Sequence, residues 1–350
     1  MQNLPSIRVM ESQKPNMIPG KFDSRQTPCW QRELTRAISD PAELLQELDL
    51  DPALLPAAQA AAVRFSLRVP RGFVARMGKG DPNDPLLRQI LPLHAELEEV
   101  PGFDADPVGD WAARAAPGVL HKYHGRALLL VTGACAVHCR YCFRREFPYA
   151  EARASTDPWQ SALAYLRNDS SLREVILSGG DPLSLSDRRL DALLVELDRI
   201  PHLQRLRIHS RQPIVLPERV NDGLLAVLAR TRLQRVLVVH ANHPQEIDQT
   251  VCVALRRLAE AGVTLLNQAV LLRGVNDSAS VLASLSEALF TAGVLPYYLH
   301  LLDRVRGAAH FEVKESEASA IMKALRQRLP GYLVPRLVRE LPGHLAKTPV

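Results

Sequence analysis

The chain lacks several features that define common protein classes. It has five cysteines in 350 residues, an odd number, and 5% aromatic residues. Its first residues contain no apolar signal core, and no apolar run is long enough to cross a membrane. Few, unevenly spaced cysteines argue against a secreted disulfide framework and predict a protein of the reducing cytoplasm. The formal net charge of +5 is spread along the chain, so we interpret it mainly as a contribution to solubility.

Three of the five cysteines lie within eight residues, in the stretch Cys135-Ala-Val-His-Cys139-Arg-Tyr-Cys142. A structural zinc site uses four ligands, so three thiolates do not complete one by themselves. An iron–sulfur cubane held by three cysteines instead leaves one iron open to a small molecule. A zinc knuckle completed by His138, or three buried thiols, are the alternatives. We expect the isolated Cys29 and Cys252 to be small packing residues.

The hydrophobic pattern changes near residue 126. From about 30 to 115 the spacing of apolar residues predicts helices. Beyond it, short apolar strands alternate with amphipathic helices, which is typical of a parallel sheet with helices outside it. Six such units predict an α/β partial (β/α)6 barrel with its functional residues at the carboxyl ends of the strands. The predicted strands span 127–132, 174–178, 205–209, 235–240, 263–272 and 295–302.

The same pattern predicts the organisation of the whole chain. Helices are expected from Ser186-Asp187 onward and over 217–230, 244–261, 278–292 and 313–329, with a last strand within 332–340. We therefore expect a disordered segment over 1–26 and an N-terminal helical region over 27–118. The barrel would span 119–310, followed by a helix, a strand and a tail over 311–350.

The spacing of the three cysteines, with Tyr141 directly before the last, resembles the signature of the radical S-adenosylmethionine (SAM) superfamily. The resemblance implies a [4Fe-4S] cluster held by Cys135, Cys139 and Cys142. It also implies that the amino and carboxylate groups of SAM occupy the open iron. The chain would then be a radical SAM barrel.

A second motif follows the next predicted strand and reads Ser178-Gly179-Gly180-Asp181. Paired glycines let a backbone approach a ligand closely, although a Gly-Gly-Asp-Pro turn is by itself a weak signal. Its position one unit after the cysteines resembles the superfamily motif that contacts the amino group of SAM. These four residues are therefore predicted to bind the cofactor.

Several further stretches, in one order, are similar to the lysine 2,3-aminomutase family over about residues 69–350. This resemblance implies an isomerase that moves the amino group of L-lysine from C2 to C3, with pyridoxal 5′-phosphate (PLP) as an additional cofactor. The stretches are Arg126-Ala-Leu-Leu-Leu-Val-Thr, Cys142-Phe-Arg-Arg145, Ser210-Arg-Gln-Pro-Ile-Val-Leu-Pro217, Asn267-Gln-Ala-Val-Leu-Leu-Arg-Gly-Val-Asn-Asp277 and Pro296-Tyr-Tyr-Leu-His-Leu-Leu-Asp303.

The resemblance also implies which residues hold PLP. Lys347 would be the catalytic lysine that carries the cofactor covalently, although without the family it is an ordinary lysine near the end of the sequence. Lys122, Tyr123, Arg126 and Gln268 fall where family members contact PLP. Lys122 stands where the better-known enzymes have Arg, which keeps the charge but not the planar fork.

The substrate residues are implied in the same way. Arg144 matches the residue that binds the carboxylate of lysine, a contact suited to a guanidinium fork. Asp303 matches one of two carboxylates around the distal ammonium group. Glu340 stands where the second of them is Asp, and its structural alternative is a solvated charge.

Two features near Lys347 resemble a shorter bacterial branch of the family. The glycine-rich run of the longer enzymes is Gly343-His-Leu-Ala here, and the sequence ends three residues after Lys347. That branch makes (R)-β-lysine for the modification of translation elongation factor P. The resemblance implies L-lysine as substrate, a reducing electron donor, and a functional link to elongation factor P and its lysyl ligase. No membrane and no direct nucleic-acid contact are expected.

Other functions stay open at this point. The nearest is a lysine 2,3-aminomutase of free lysine metabolism. A radical SAM enzyme acting on RNA would suit the pI near 9.0, but aromatic residues for base stacking are few. A catalytically silent iron–sulfur or zinc module for a ribosome-associated partner belongs to a different class.

Overall fold

In the computed structural model, which describes residues 28–149 and 159–350, ten strands form one sheet in chain order. The predicted disordered segment 1–26 lies outside the described residues. The strands are β1 (Arg114–Ala116), β2 (Val119–Tyr123), β3 (Arg126–Thr132), β4 (Glu174–Gly179), β5 (Arg205–Ser210), β6 (Gln234–Val239), β7 (Thr264–Val270), β8 (Leu295–His300), β9 (Arg336–Arg339) and β10 (Thr348–Pro349).

The six predicted barrel strands are all present, as β3 to β8, and each pairs in parallel with the next. This confirms the partial (β/α)6 barrel. Strand β9 extends the parallel set. Strands β1 and β2 add an antiparallel edge that the sequence analysis did not predict, and β1 lies in the stretch expected to be helical. Strands of three and five residues are too short for a clear periodic signal.

Twelve α-helices are present in the described residues, and seven of them follow the first barrel strand. Helices packed outside a parallel sheet are the arrangement that the alternating pattern predicts. The helices are α1 (Cys29–Thr35), α2 (Pro41–Glu47), α3 (Leu55–Arg64), α4 (Arg71–Val74), α5 (Pro85–Arg88), α6 (Gln160–Asn168), α7 (Asp187–Asp198), α8 (Gln212–Val215), α9 (Asp222–Arg230), α10 (Gln249–Glu260), α11 (Ala279–Thr291) and α12 (Glu315–Arg326).

Two predicted helices, 217–230 and 244–261, each divide into a 3-10 turn and a later α-helix. Helix α9 begins after Asn221, whose side chain accepts a hydrogen bond from the amide of Leu224. Helix α10 begins after Asp248, which accepts one from the amide of Val251. Asn and Asp favour such N-cap positions, so the true starts lie a few residues beyond the prolines.

Two hydrophobic cores position the site. The larger one lies between the sheet and the outer helices, where α7 contributes Leu190, Leu193 and Leu197. The second lies under α1 to α5 and takes in Ala136 and Val137 from the cysteine stretch. The N-terminal helices therefore pack directly against the loop that carries the three cysteines.

The C-terminal tail folds back on the sheet. Thr348 pairs with Arg339 and Pro349 with Val338, so β10 runs antiparallel to β9. The intervening turn includes Gly343 with φ of 75°, a left-handed conformation that favours glycine. This hairpin brings Lys347 beside the carboxyl end of β9.

None of the helices in the described part of the chain combines the length and the apolar character needed to span a bilayer.

Candidate active site

The cysteine loop follows directly from β3, and Cys135, Cys139 and Cys142 are all free and partly buried. Burial, Asp181 and the two other thiols raise the pKa of Cys135 well above its usual value. Burial and Cys139 raise the pKa of Cys142 to about 11. Burial and mutual repulsion disfavour the charged thiolate forms, so three thiolates at this place need positive charge beside them. The irons of an iron–sulfur cluster would supply that charge, and the three cysteines therefore fit such a cluster.

The described residues contain no group of three His, Cys, Asp or Glu side chains that could hold a single metal ion. A four-iron cluster makes a different demand, because its cysteines bind different irons. The three thiols are nevertheless near enough for each of the other two to affect the pKa of Cys135.

A buried ion-pair cluster fixes the loop to the N-terminal helical region. Glu96 binds Arg140 through two hydrogen bonds, with Nε–Oε1 of 2.8 Å and Nη2–Oε2 of 2.6 Å. Arg145 Nη2 donates to Glu96 Oε2 at 2.7 Å, and the side chains of Arg140 and Glu96 are 0% and 1% exposed. Paired charges with fork geometry hold a buried chain segment in one register. Glu96 thus fixes the backbone on both sides of Cys142.

The glycine motif packs against the same loop. A Cβ atom on Gly179 would lie 2.5 Å from the carbonyl oxygen of Thr132, and one on Gly180 would lie 2.4 Å from that of Ala134. The Gly179 carbonyl accepts a hydrogen bond of 2.6 Å from the hydroxyl of Tyr149. Glycine is therefore required here because the backbones of the two motifs approach each other closely.

The two polar ends of the motif serve different partners. Ser178 Oγ accepts a hydrogen bond from Arg144 Nη1 at 2.9 Å, on the side of the predicted substrate residues. Asp181 is buried, and its carboxylate accepts from the hydroxyl of Ser210 and from the amides of Leu183, Arg211 and Gln212. A carboxylate has about four accepting positions. Protein donors fill those of Asp181, so it holds the loop in shape.

A chain of alternating charges crosses the carboxyl end of the barrel. Arg144 Nε donates to Asp110 Oδ2 at 2.6 Å, and Asp110 Oδ1 lies 2.6 Å from Lys122 Nζ. Lys122 Nζ donates to Glu340 Oε1 at 2.9 Å, and Lys347 Nζ donates to Glu340 Oε2 at 2.7 Å. Four of the predicted residues are thus joined in one network, together with Asp110.

The pKa values of the two acids in this network are lowered, whereas that of the neighbouring Asp303 is raised. Burial alone would raise the pKa of Glu340, but Lys347 and Lys122 lower it to about 2. Burial alone would also raise the pKa of Asp110, but Arg144 and Lys122 hold it below its usual value. Asp303 has no ion pair with any of the residues that the structure describes, and burial and the charge of Glu340 raise its pKa to about 7.

The other residues predicted to bind PLP are Tyr123, Arg126 and Gln268, and the side chain of Tyr123 has a hydrogen bond with Glu340. Lys347 Nζ is 5.9 Å from the centre of the Tyr298 ring. The guanidinium of Arg126 lies 4.6 Å from the ring centre of Tyr123, whose pKa is raised by burial and by Glu340. Gln268 lies on β7, separate from that stacked pair.

Three histidines near Lys347 were not predicted as site residues. His209, His240 and His300 lie at or just beyond the ends of β5, β6 and β8. Burial and then neighbouring positive groups, Lys347 among them, lower the pKa of each, to about 4 for His240. All three imidazoles are therefore neutral near pH 7. Their positions at the ends of predicted strands were a usable signal.

Asp110 and Tyr149 were also missed, for a different reason. Asp110 is 12 residues from Lys122 and 34 from Arg144 along the chain, in a loop with no periodic pattern. Nothing local distinguishes its carboxylate from that of a solvated loop residue. Tyr149 likewise reaches Gly179 across 30 residues.

Comparison with known proteins places this site in a class. A family described as 4Fe-4S single cluster domain matches residues 124–201, which contain the cysteine loop, β4 and the glycine motif. Together with the partial barrel, this match defines a radical SAM enzyme with a [4Fe-4S] cluster and SAM as cofactors.

The relatives define the family more narrowly. L-lysine 2,3-aminomutase of Escherichia coli (strain K12) is 53% identical over 322 residues, which cover 92% of this chain and 94% of that relative. The Haemophilus influenzae enzyme of the same name is 49% identical, covering 95% and 98%. The Clostridium subterminale enzyme is 38% identical, covering 79% and 67%. The chain belongs to the lysine 2,3-aminomutase family and is an isomerase.

Replacing any one of Cys135, Cys139 and Cys142 by Ala should abolish iron–sulfur absorbance and SAM cleavage, because two thiolates do not hold a cubane. The measurement is anaerobic reconstitution followed by absorbance, iron and sulfide analysis. Cys29→Ala and Cys252→Ala are the controls and should retain the cluster. Full activity in any of the first three variants would show that the thiols are not its ligands.

Proposed function

We propose that the protein converts L-lysine to (R)-β-lysine with PLP as well as SAM. The observation that carries this proposal is the alternating charge chain from Arg144 to Lys347, with Asp303 beside it. Within one site, Arg144 is a cation that can bind a carboxylate, Asp303 is an acid that can bind an ammonium group, and Lys347 is an amine that can carry PLP. The names of the relatives, which are lysine aminomutases, agree with this substrate.

Arg144 is proposed to bind the substrate carboxylate. Its Nε and Nη1 atoms are occupied by Asp110 and Ser178. Within the part of the chain that the structure describes, Nη2 has no hydrogen-bond partner. The guanidinium of Arg144 is thus held through two of its nitrogens, and the third, Nη2, is free to donate a hydrogen bond to a carboxylate oxygen.

Asp303 and Glu340 are proposed to hold the distal ammonium group, and the two carboxylates differ in their ion pairs before substrate binds. Glu340 is already paired with Lys122 and Lys347, whereas Asp303 has no cation bound. An arriving ammonium group would therefore pair first with Asp303. Two acids at a fixed distance from Arg144 would also select substrates by chain length.

Lys347 is proposed to carry PLP, and its surroundings fit the group. Lys122 and Arg126 offer positive charge for the phosphate, and Tyr123 and Tyr298 offer aromatic surface, with Gln268 as a further contact. PLP, when bound, supplies a π-system that can stabilise a substrate radical. The amine that is attached must be unprotonated, so Lys347 must leave its ion pair with Glu340.

The cluster with SAM supplies the hydrogen-abstracting radical characteristic of the class. The protein's own part is to position the substrate and to exclude water from the carboxyl end of the barrel. The neutral imidazoles of His209, His240 and His300 suit this part, because they lie within the electrostatic reach of Lys347 without adding charge. The tail hairpin of β9 and β10 closes one side of it.

We further propose that the product is used to modify elongation factor P in the cytoplasm. Support comes from the Gly343-His-Leu-Ala run and from the higher identity to the Escherichia coli relative than to the Clostridium subterminale one, 53% against 38%. Partly buried free thiols agree with a reducing compartment.

Intact mass analysis of elongation factor P, isolated from cells with and without this chain, tests the pathway. The β-lysyl form should disappear when the chain is deleted and return with the unaltered chain but not with Cys139→Ala. If free β-lysine is lost on deletion while the mass of elongation factor P is unchanged, the enzyme serves free lysine metabolism instead.

Lysine binding should strengthen as the pH rises through 7, because Asp303 has a pKa of about 7 and only its ionised form attracts the distal ammonium group. At one unit below the pKa about a tenth of the carboxyl is ionised, so affinity at pH 6 should be about tenfold weaker than at pH 8. Equilibrium binding of L-lysine measures this directly. Norleucine, which has the same chain without the distal amine, is the control and should show no such dependence.

Asp303→Asn should remove this pH dependence and weaken lysine binding by about 2–5 kcal/mol, the usual effect of deleting one partner of a buried pair. Its PLP content should be unchanged. A pH dependence that persists in the variant would assign the titration to another group.

Borohydride reduction followed by peptide mapping should place a phosphopyridoxyl group on Lys347. Lys347→Ala should lose that adduct and the visible absorbance of bound PLP, because the amine that is proposed to carry the cofactor is removed. Lys323→Ala, an exposed lysine of α12, is the matched control and should bind PLP normally. An adduct on any other lysine in the unaltered protein would contradict the assignment.

A further inference from the structure

One stretch that carries the family resemblance, 210–217, enters the site described above only through its hydrogen bonds to Asp181. Its second residue, Arg211, follows directly after β5, and its side chain is 6% exposed. Arg211 Nη1 donates a hydrogen bond to the sulfur of Cys139, with an Nη1–Sγ distance of 2.8 Å. A guanidinium therefore contacts a cluster ligand directly.

Arg211 is held firmly in that position. Its Nη2 atom donates to Gln89 Oε1 at 2.6 Å and to Glu246 Oε2 at 3.0 Å. Its backbone amide donates to Asp181 at 2.8 Å. The guanidinium also lies 5.5 Å from the ring centre of Phe73 and 5.7 Å from that of Tyr141. Fixed at this many points, the side chain cannot readily turn away from Cys139.

The other arginines around the loop have different partners. Arg140 and Arg145 both donate to Glu96, and Arg144 donates to Asp110 and Ser178. Arg211 Nη1 instead donates to Cys139, a thiol that also has a side-chain hydrogen bond with Tyr141. The guanidinium of Arg211 therefore contacts a cluster ligand specifically and does more than add to the positive charge around the loop.

We propose that Arg211 is a positioning residue that raises the reduction potential of the cluster through its hydrogen bond to Cys139. Reduction potentials of iron–sulfur sites depend on net charge and on hydrogen bonds to the sulfur atoms. One-electron reduction adds negative charge next to the guanidinium, so the N–H donor stabilises the reduced state more than the oxidised one. The proton stays on Arg211, and the electron comes from the low-potential one-electron donor that radical SAM chemistry already requires.

The effect should be useful because the loop is partly buried. Burial disfavours added negative charge, which makes the cluster harder to reduce. A positive group at one thiolate offsets that cost, and Gln89 and Glu246 keep it in place. The proposal depends on the cluster alone and is independent of PLP and of lysine as substrate.

A redox titration of Arg211→Gln tests the proposal, with the full chain reconstituted anaerobically and the reduced cluster followed by electron paramagnetic resonance. At the midpoint potential of the unaltered protein, the ratio of reduced to oxidised cluster should fall about tenfold. For one electron this is a lowering of about 59 mV. Arg211→Lys keeps the charge without the fork and should lie between the two.

Arg219→Gln is the matched control, because Arg219 is also buried but donates to the carbonyls of Leu183 and Leu185 and pairs with Asp187. Among the described residues it has no hydrogen bond to a cysteine. Its midpoint should equal that of the unaltered protein. An unchanged midpoint in Arg211→Gln with normal iron content would overturn the proposal. So would an equal lowering in Arg219→Gln.

A second measurement decides the matter even if Arg211→Gln does not retain its cluster. Unaltered protein labelled with ¹⁵N only in the guanidinium groups of arginine should show a ¹⁵N coupling to the reduced cluster in electron–nuclear double resonance. Arg211→Lys should lose that coupling. Absence of any such coupling in the unaltered protein, or its persistence in Arg211→Lys, would exclude the hydrogen bond to Cys139.

Discussion

Alternation of charge is the constraint on which the carboxyl end of the barrel depends. Five ionisable side chains meet there with little solvent, and each charge between Arg144 and Lys347 has a neighbour of opposite sign. Removing one member would leave its neighbours buried and unpaired, which costs more than the pair itself contributes. The network therefore behaves as a unit. A phosphate that bound Lys122 would have to replace an internal partner, because Val108, Asp110 and Glu340 already occupy its three N–H donors.

The family resemblance implies two departures from the better-known enzymes, Lys122 in place of Arg and Glu340 in place of Asp, and both residues belong to one ion pair of this network. The two side chains are joined at 2.9 Å, so a shorter cation is matched by a longer acid. Lys122 Nζ also reaches Asp110 and the carbonyl of Val108, a three-donor geometry that suits an ammonium group better than a planar fork. The two exchanges are best understood as one compensated change.

The sequence was informative where its signals were local. Six apolar strands separated by amphipathic helices predicted the barrel, and the cysteine loop stands after the first strand as that pattern requires. It was uninformative where partners are distant in the chain. Asp110 acquires its role from Lys122 on β2 and from Arg144 in the cysteine loop, 12 and 34 residues further along the chain. Asp181 was predicted from its position to bind the cofactor, and the sequence carried no sign that its carboxylate also accepts hydrogen bonds from Ser210 and from three backbone amides.

The N-terminal helical region is more than a cover over the barrel. Glu96 fixes Arg140 and Arg145, and Gln89 holds Arg211 against Cys139, so both flanks of the cluster loop are positioned from this region. Asn242 links the same Gln89 to Tyr141 and, through its amide, to Glu246. A displacement of this region would therefore alter the hydrogen bonding at a cluster ligand without touching the charge chain at Lys347. The cysteine loop and the charge chain are thus supported by separate polar networks, which meet at the backbone between Cys142 and Arg145.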